Sequence, residues 1–377
     1  MKIEPFKLER YFVPYEFTAK YLLSSSDCDG LSQKELVVTA DRETRVLWDN
    51  LTLGYTESAG NPYLRKEIAG LYKNIDPGQV LVVTPEEGIL IAMSTMLNKG
   101  DHMICTFPGY QSLYETAKSK ECEVTFWQPD EATGWRFDPA FLEKQIKKNT
   151  KLLVINFPHN PTGFLPSKKE FEQTMAVAKA HKLKVFSDEM YWLLEYDPQN
   201  RLPAACEVYD QAVSLFGMSK TFGMAGVRIG WLVTQDQETF QNCATFKDYT
   251  TICSSAPSEI LSIIALRAKD VIIQRHLERI RRNLKVLDGF FDRHQDQFVW
   301  TRPRAGTIGL VRLKGEVDSL AFCQDVIDKT GIMLLPSTVY DFGNQHFRIG
   351  FGRDNMPEVV GKFEEYLEVI SKPSLNR

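Results

Sequence analysis

The 377-residue chain carries 45 Lys and Arg against 49 Asp and Glu, a formal net charge of −4, with no long run of either sign, which argues against a nucleic-acid or membrane-surface protein and for small-molecule partners. The start, MKIEPFKLERYF, has no apolar stretch of signal-peptide type, and nowhere does the chain reach the roughly 18 uninterrupted apolar residues of a membrane span, so a cytoplasmic protein is expected. Seven scattered cysteines without a CxxC pair and six histidines without metal-ligand spacing argue against a disulfide framework and a metal centre.

Residues 1–45 show no core of their own and are expected to join the smaller of two domains, the length being too great for one core. Short apolar runs follow: QVLVVT (79–84), HMICTF (102–107), CEVTFW (122–127), KLLVINF (151–157), LKVFSDE (183–189), AVSLFG (212–217) and GWLVT (230–234). Helix-like spacing fills intervening stretches such as 87–97 and 168–181. This alternation predicts an α/β domain with a mostly parallel sheet flanked by helices. Residues 258–293 read as one long charged helix, a strut to a smaller α+β domain that resumes with TIGLVRL (307–313), GIMLLP (331–336) and HFRIGF (346–351). The expected division is a large domain over 46–280 and a small one over 1–45 and 281–377.

In an open parallel sheet, ligands gather at the carboxyl ends of strands. Asn160 follows KLLVINF, Asp188 lies in LKVFSDE and Lys220 follows AVSLFG. Each alone reads equally well as a turn, a cap or a solvated side chain; three expected strand ends coincide. With Tyr191 and Arg228 added, the set lacks the Ser/His/Asp or Cys/His pairing of acyl transfer. It suits a pyridine aldehyde bearing a phosphate, because a lysine can hold such a group as a Schiff base, a carboxylate can keep its ring nitrogen protonated and an arginine can grip the phosphate.

The segments GYTESAGNPYLRKEIA (54–69), FPGYQSLYE (107–115), NFPHNPTG (156–163), SDEMYW (187–192), MSKTFGMAGVRIGW (218–231) and FRIGF (347–351) run in one order over nearly the whole chain. In this order and spacing the sequence resembles the class I/II aminotransferases, pyridoxal-phosphate enzymes of fold type I. The resemblance implies that Lys220 is the Schiff-base lysine, Asp188 the partner of the pyridinium nitrogen, Asn160 and Tyr191 ligands of the ring oxygen, and Arg228 a phosphate ligand. It implies a stacking role for Tyr110, an α-carboxylate contact for Arg348, and a homodimer in which Tyr55 reaches the neighbouring subunit's phosphate. Substrates would be an amino acid and a 2-oxo acid.

Two segments depart from the family pattern. Where a small or glycine-rich phosphate cup is usual, this chain has TPEEGIL: the backbone of Glu87 and Gly88 would receive the phosphate, with the carboxylates of Glu86 and Glu87 pointing away. Gly217 replaces a common phosphate-binding serine, leaving Ser219 to supply the hydroxyl. The segment YLLSSSDCDG (21–30) falls where relatives line the substrate pocket. Transamination is the expected activity; a lyase, decarboxylase or cyclising reaction on an amino acid is the alternative, since one scaffold serves several chemistries. GMSKT is no P-loop, because Leu215 stands where the first glycine is required, and no helix-turn-helix or basic surplus suggests a regulator.

Overall fold

A computed structural model describes residues 2–371 of the chain. Met1 and residues 372–377, the end of the expected small-domain span, lie outside the described residues. In chain order the strands are β1 (Tyr21–Leu22), β2 (Val80–Val83), β3 (His102–Thr106), β4 (Glu123–Trp127), β5 (Thr150–Asn156), β6 (Lys184–Asp188) and β7 (Ala212–Gly217). They continue with β8 (Gly230–Thr234), β9 (Phe298–Trp300), β10 (Ile308–Leu313), β11 (Ile332–Met333), β12 (Leu335–Pro336) and β13 (His346–Gly350).

Seven of these form one sheet in the order β2-β8-β7-β6-β5-β3-β4. Only β8 runs against its neighbours β2 and β7; the other pairs are parallel. β2, β3, β7 and β8 are buried at every position, as a sheet covered on both faces requires. Alternation sends Val80 and Val82 to one face, with Leu64 and Ile264, and Leu81 and Val83 to the other, with Ile91 and Met93. The helix Lys168–Ala180 starts where Ser167 and Glu170 cap each other's backbone N–H groups. Among the described residues no helix is long and apolar enough to cross a membrane.

A second sheet, antiparallel in the order β12-β13-β10-β9, forms the core of the smaller domain. The expected single strut is two helices, Ala256–Arg267 and Lys269–Arg293. Ala268, at φ −94° and ψ 11°, breaks the helical path with no Pro or Gly to announce it. The first helix belongs to the large-sheet core, while the second buries a stripe including Leu277, Ile280, Leu284 and Leu287. GIMLLP likewise splits: β11 pairs with β1, and β12 pairs with β13 in the other sheet. Near the N-terminus, Leu8 and Phe12 of the helix Lys7–Phe12 pack with Val339 and Tyr340, whereas Leu36 packs with Leu64 and Ile68 beside the large sheet.

Candidate active site

β5, β6 and β7 run in the same direction as neighbours, so their carboxyl ends open on one edge. Their register sets Asn156 beside Asp188 and Asp188 beside Leu215. That edge, the start of the helix Pro85–Met96 and the N-terminal segment line a cavity of about 350 Å³. A larger hollow of about 700 Å³, between Phe171, Met175, Trp192 and Leu202, holds none of the groups assigned from sequence; size and chemistry point to different places, and the reactive side chains single out the smaller cavity.

Asp188 closes β6 and faces the cavity, while its neighbour Glu189 turns to the other side, accepting from Ala205 N and Ser214 Oγ. Burial pushes the Asp188 carboxyl up to about 6, a rise held back by the Met190 N–H and by Lys220. Lys220, three residues past β7, donates from Nζ to Ser26 Oγ at 2.8 Å. Burial is the main cause that lowers its ammonium pKa, which favours the neutral amine. Asn160 is held by its backbone N–H on Asn156 Oδ1 (2.7 Å), and Asn156 in turn donates to the Asp188 carbonyl (3.0 Å). The Tyr191 hydroxyl donates to the Ser26 carbonyl at 3.0 Å.

Arg348, on β13, is 2% exposed and lines the cavity. It donates to Tyr340 Oη and to the Ser24 carbonyl, both at 2.7 Å, with Asn160 Oδ1 3.5 Å away. Its Nε has no hydrogen-bond partner among the described residues. At the other end stand Ser219, buried, and Arg228, in the left-handed region at φ 55°. Tyr110 lines the wall, its hydroxyl donating to Glu9 Oε1 at 3.3 Å. A Cβ on Gly217 would lie 2.8 Å from Gly230 Cα, so the serine common in relatives has no room here.

Three assigned residues stand apart. Gly88 N–H is committed to the helix, donating to the Thr84 carbonyl at 2.8 Å, and a Cβ there would meet Val83 at 2.9 Å; this glycine serves packing. Glu87 folds back onto Thr84 N (3.1 Å) and reaches Thr251 Oγ1 (2.7 Å), outside the cavity lining. Glu86, one residue earlier, corrects the expectation that both carboxylates turn away: it lines the cavity, accepts from Ser112 Oγ at 3.3 Å, and burial pushes it up to about 7. Successive helical positions diverge by about 100°, so one acid caps and the next faces inward. Tyr55 is 91% exposed and lines no part of this chain's cavity.

Sequence reasoning missed Ser26, Asp27, Tyr340, Arg353, Glu9 and Glu16 as individual site residues. Only the placement of segment 21–30 hinted at the first two.

A family profile described as aminotransferase class I and II matches residues 18–363. The aspartate aminotransferase of Sulfurisphaera tokodaii is 24% identical over 339 residues, 85% of this chain and 84% of that protein. Capreomycidine synthase of Streptomyces vinaceus is 25% identical over 353 residues, 93% of this chain and 88% of that protein. A solved structure of a PLP-dependent aminotransferase from Streptococcus suis superposes with a TM-score of 0.92 at 26% identity, covering 99% of this chain and 100% of that one.

Proposed function

The chain belongs to the class I and II aminotransferases and moves an amino group from an amino acid to a 2-oxo acid, and we propose that it does so with pyridoxal 5′-phosphate carried on Lys220. The observation that supports this reading is a buried carboxylate and a desolvated lysine lining one cavity, Asp188 and Lys220. The donor set fits the group. Asp188, raised by burial and short of countercharge, suits a protonated ring nitrogen; Asn160 and Tyr191 offer donors to a ring oxygen; Arg228 and Ser219 offer a cation and a hydroxyl to a phosphate. When bound, the cofactor supplies an electron sink for loss of the substrate Cα proton. Lys220, once displaced by substrate, is the amine placed to take that proton and return it. Arg348 holds the α-carboxylate and so fixes which bond at Cα is presented.

In this reading Tyr55 acts across a two-fold interface on the partner's phosphate, where each patch meets its own copy. Its exposure beside Leu53, which is 85% exposed and borders the same surface hollow, supports that role.

The test uses the protein purified with its cofactor. Borohydride reduction and peptide mapping are expected to place the cofactor on Lys220. Amino acids that react are expected to discharge its violet absorbance with one equivalent of oxo acid formed. A label on another lysine, or release of ammonia or carbon dioxide without oxo acid, overturns the proposal.

A further inference from the structure

The cavity's inner groups are used by the reading above; its rim carries charge that reading leaves idle. Besides Asp188, four carboxylates line the cavity: Glu9, Glu16, Asp27 and Glu86. Asp27 is paired with Arg353 at 2.9 Å, and Arg353 also reaches Asp29 at 3.3 Å. Burial pushes the Glu86 carboxyl up to about 7, so it is a weaker partner for a cation at neutral pH. Glu9 and Glu16 remain. Glu9 receives the one Tyr110 hydroxyl. Glu16, an exposed residue at the cavity mouth, has neither a side-chain hydrogen bond nor an ion pair among the described residues; partial burial and then the charges of Glu9 and Asp27 raise its carboxyl, while Lys220 and Arg353 act the other way. Among the described residues neither Glu9 nor Glu16 is within ion-pair distance of a cation, so both carboxylates are open to a charge brought by a ligand.

Their placement follows from a regular spacing. Glu9, Phe12 and Glu16 stand at i, i+3 and i+7, one face of the helix Lys7–Phe12 and the turn after it, where Glu16 N donates to the Phe12 carbonyl at 2.8 Å. The face is anchored on two sides. Lys7 N donates to Gln111 Oε1 (2.9 Å) and Gln111 Nε2 to the Pro5 carbonyl (3.0 Å), while Leu8 and Phe12 pack with Val339 and Tyr340. The Phe12 ring lies 6.0 Å from the Arg348 guanidinium. From the buried arginine outward, the cavity therefore offers a cation, an apolar ring and two carboxylates.

We propose that the amino donor is an amino acid whose side chain is an aliphatic run ending in an ammonium or guanidinium group. Arg348 takes its α-carboxylate, Phe12 flanks the methylenes, and Glu9 and Glu16 bind the terminal cation. This rests on the transamination reading and the α-carboxylate role of Arg348. It also separates the chain from relatives named aspartate aminotransferase, because a side-chain carboxylate would meet Glu9 and Glu16 as a like charge.

Two measurements test it on the cofactor-loaded protein. In the half-reaction, L-ornithine, L-lysine and L-arginine are compared with uncharged L-norleucine and with L-aspartate. The best basic amino acid should exceed norleucine in kcat/KM by roughly 10- to 100-fold, the span of one or two charge-assisted hydrogen bonds, and aspartate should rank last. Glu9→Gln and Glu16→Gln should each compress the basic-to-norleucine ratio. In the second measurement, 5-guanidinopentanoate, which has no amino group to react, should bind by calorimetry at least about tenfold tighter than hexanoate, with Glu16→Gln erasing most of the gap. Preference for aspartate or norleucine, or Gln variants that leave both ratios unchanged, overturns the inference while transamination stands. If no amino acid forms oxo acid, the transamination reading fails, and the two unreactive ligands still decide whether the rim selects a cation.

Discussion

Asp188 and Asn156 end adjacent strands of a seven-stranded sheet, each fixed by pairing across the ladder. Glu9 and Glu16 hang on a six-residue helix and the turn after it, held by two hydrogen bonds to Gln111 and by the packing of Leu8 and Phe12. Both sets line one cavity, yet the first is fixed by the ladder of the central sheet, whereas the second is carried by a six-residue helix and a turn that belong to no sheet. The contrast separates two tasks. Groups that handle protons need fixed geometry, which strand ends supply; groups that choose among side chains can sit on a replaceable segment.

The contrast breaks most decisively at Lys220. Lys220→Ala is expected to lower turnover by about 10⁴-fold or more, the upper range for a positioned acid-base group, with cofactor still bound through its remaining contacts. Measured turnover with a titration of bound cofactor checks this. Mixing Lys220→Ala with Tyr55→Ala subunits sharpens it: in the proposed homodimer, random re-association would make about half the dimers mixed, each with one whole site, and about a quarter of wild-type activity is expected to return. No recovery on mixing would place Tyr55 in its own chain's site.

Asp188→Ala comes next. Removing the buried carboxylate proposed as partner of the ring nitrogen is expected to cost about 10²- to 10³-fold in kcat, as for other preorganised electrostatic groups. Retention of wild-type turnover would reduce Asp188 to a cap for the Met190 N–H.

Arg348 joins the two regions, since it sits on β13 but touches Asn160 Oδ1, the Ser24 carbonyl and the Phe12 ring. Arg348→Ala is expected to raise KM for amino acids by roughly 10- to 100-fold, the worth of charged hydrogen bonds, with a smaller change in kcat. Equal losses with amines lacking a carboxylate would contradict its role.

What could be read from the sequence follows the same division. The strand runs around Asp188 and Lys220 were legible because a buried parallel strand is continuously apolar and the polar residue that ends it is conspicuous. The break at Ala268 and the splitting of GIMLLP at Leu334 were not, since alanine and leucine suit either side of the break and tertiary packing alone decides. Glu9 and Glu16 read as ordinary surface charges: their function depends on a helix meeting a cavity about a hundred residues away in sequence, at Tyr110. Glu86 and Glu87 show the finest limit, because adjacent and chemically equal residues take opposite directions that only the cap geometry distinguishes.

Glu86 also provides the smallest expected effect, on stability rather than rate. Its carboxyl sits at about 7 in the folded protein against 4.5 for an ordinary glutamate, chiefly through burial. Below about pH 4.5 it is protonated in both the folded and the unfolded chain and has no influence on the balance. As pH rises from there to about 7, the unfolded chain releases the proton while the folded one keeps it, so stability falls through this window and stays reduced above it. The full displacement would correspond to about 3 kcal/mol, and water in the open cavity trims this to the order of 1–2 kcal/mol. Glu86→Gln, which keeps the shape and cannot ionise, is therefore expected to raise the Tm of the cofactor-free protein by a few degrees at pH 8 and to leave it nearly unchanged at pH 4.5. Thermal unfolding of both proteins across that range reads the difference directly. An equal gain at both pH values would mean that the amide stabilises through its own hydrogen bonds, and that the carboxylate at this edge of the cavity carries no charge worth removing.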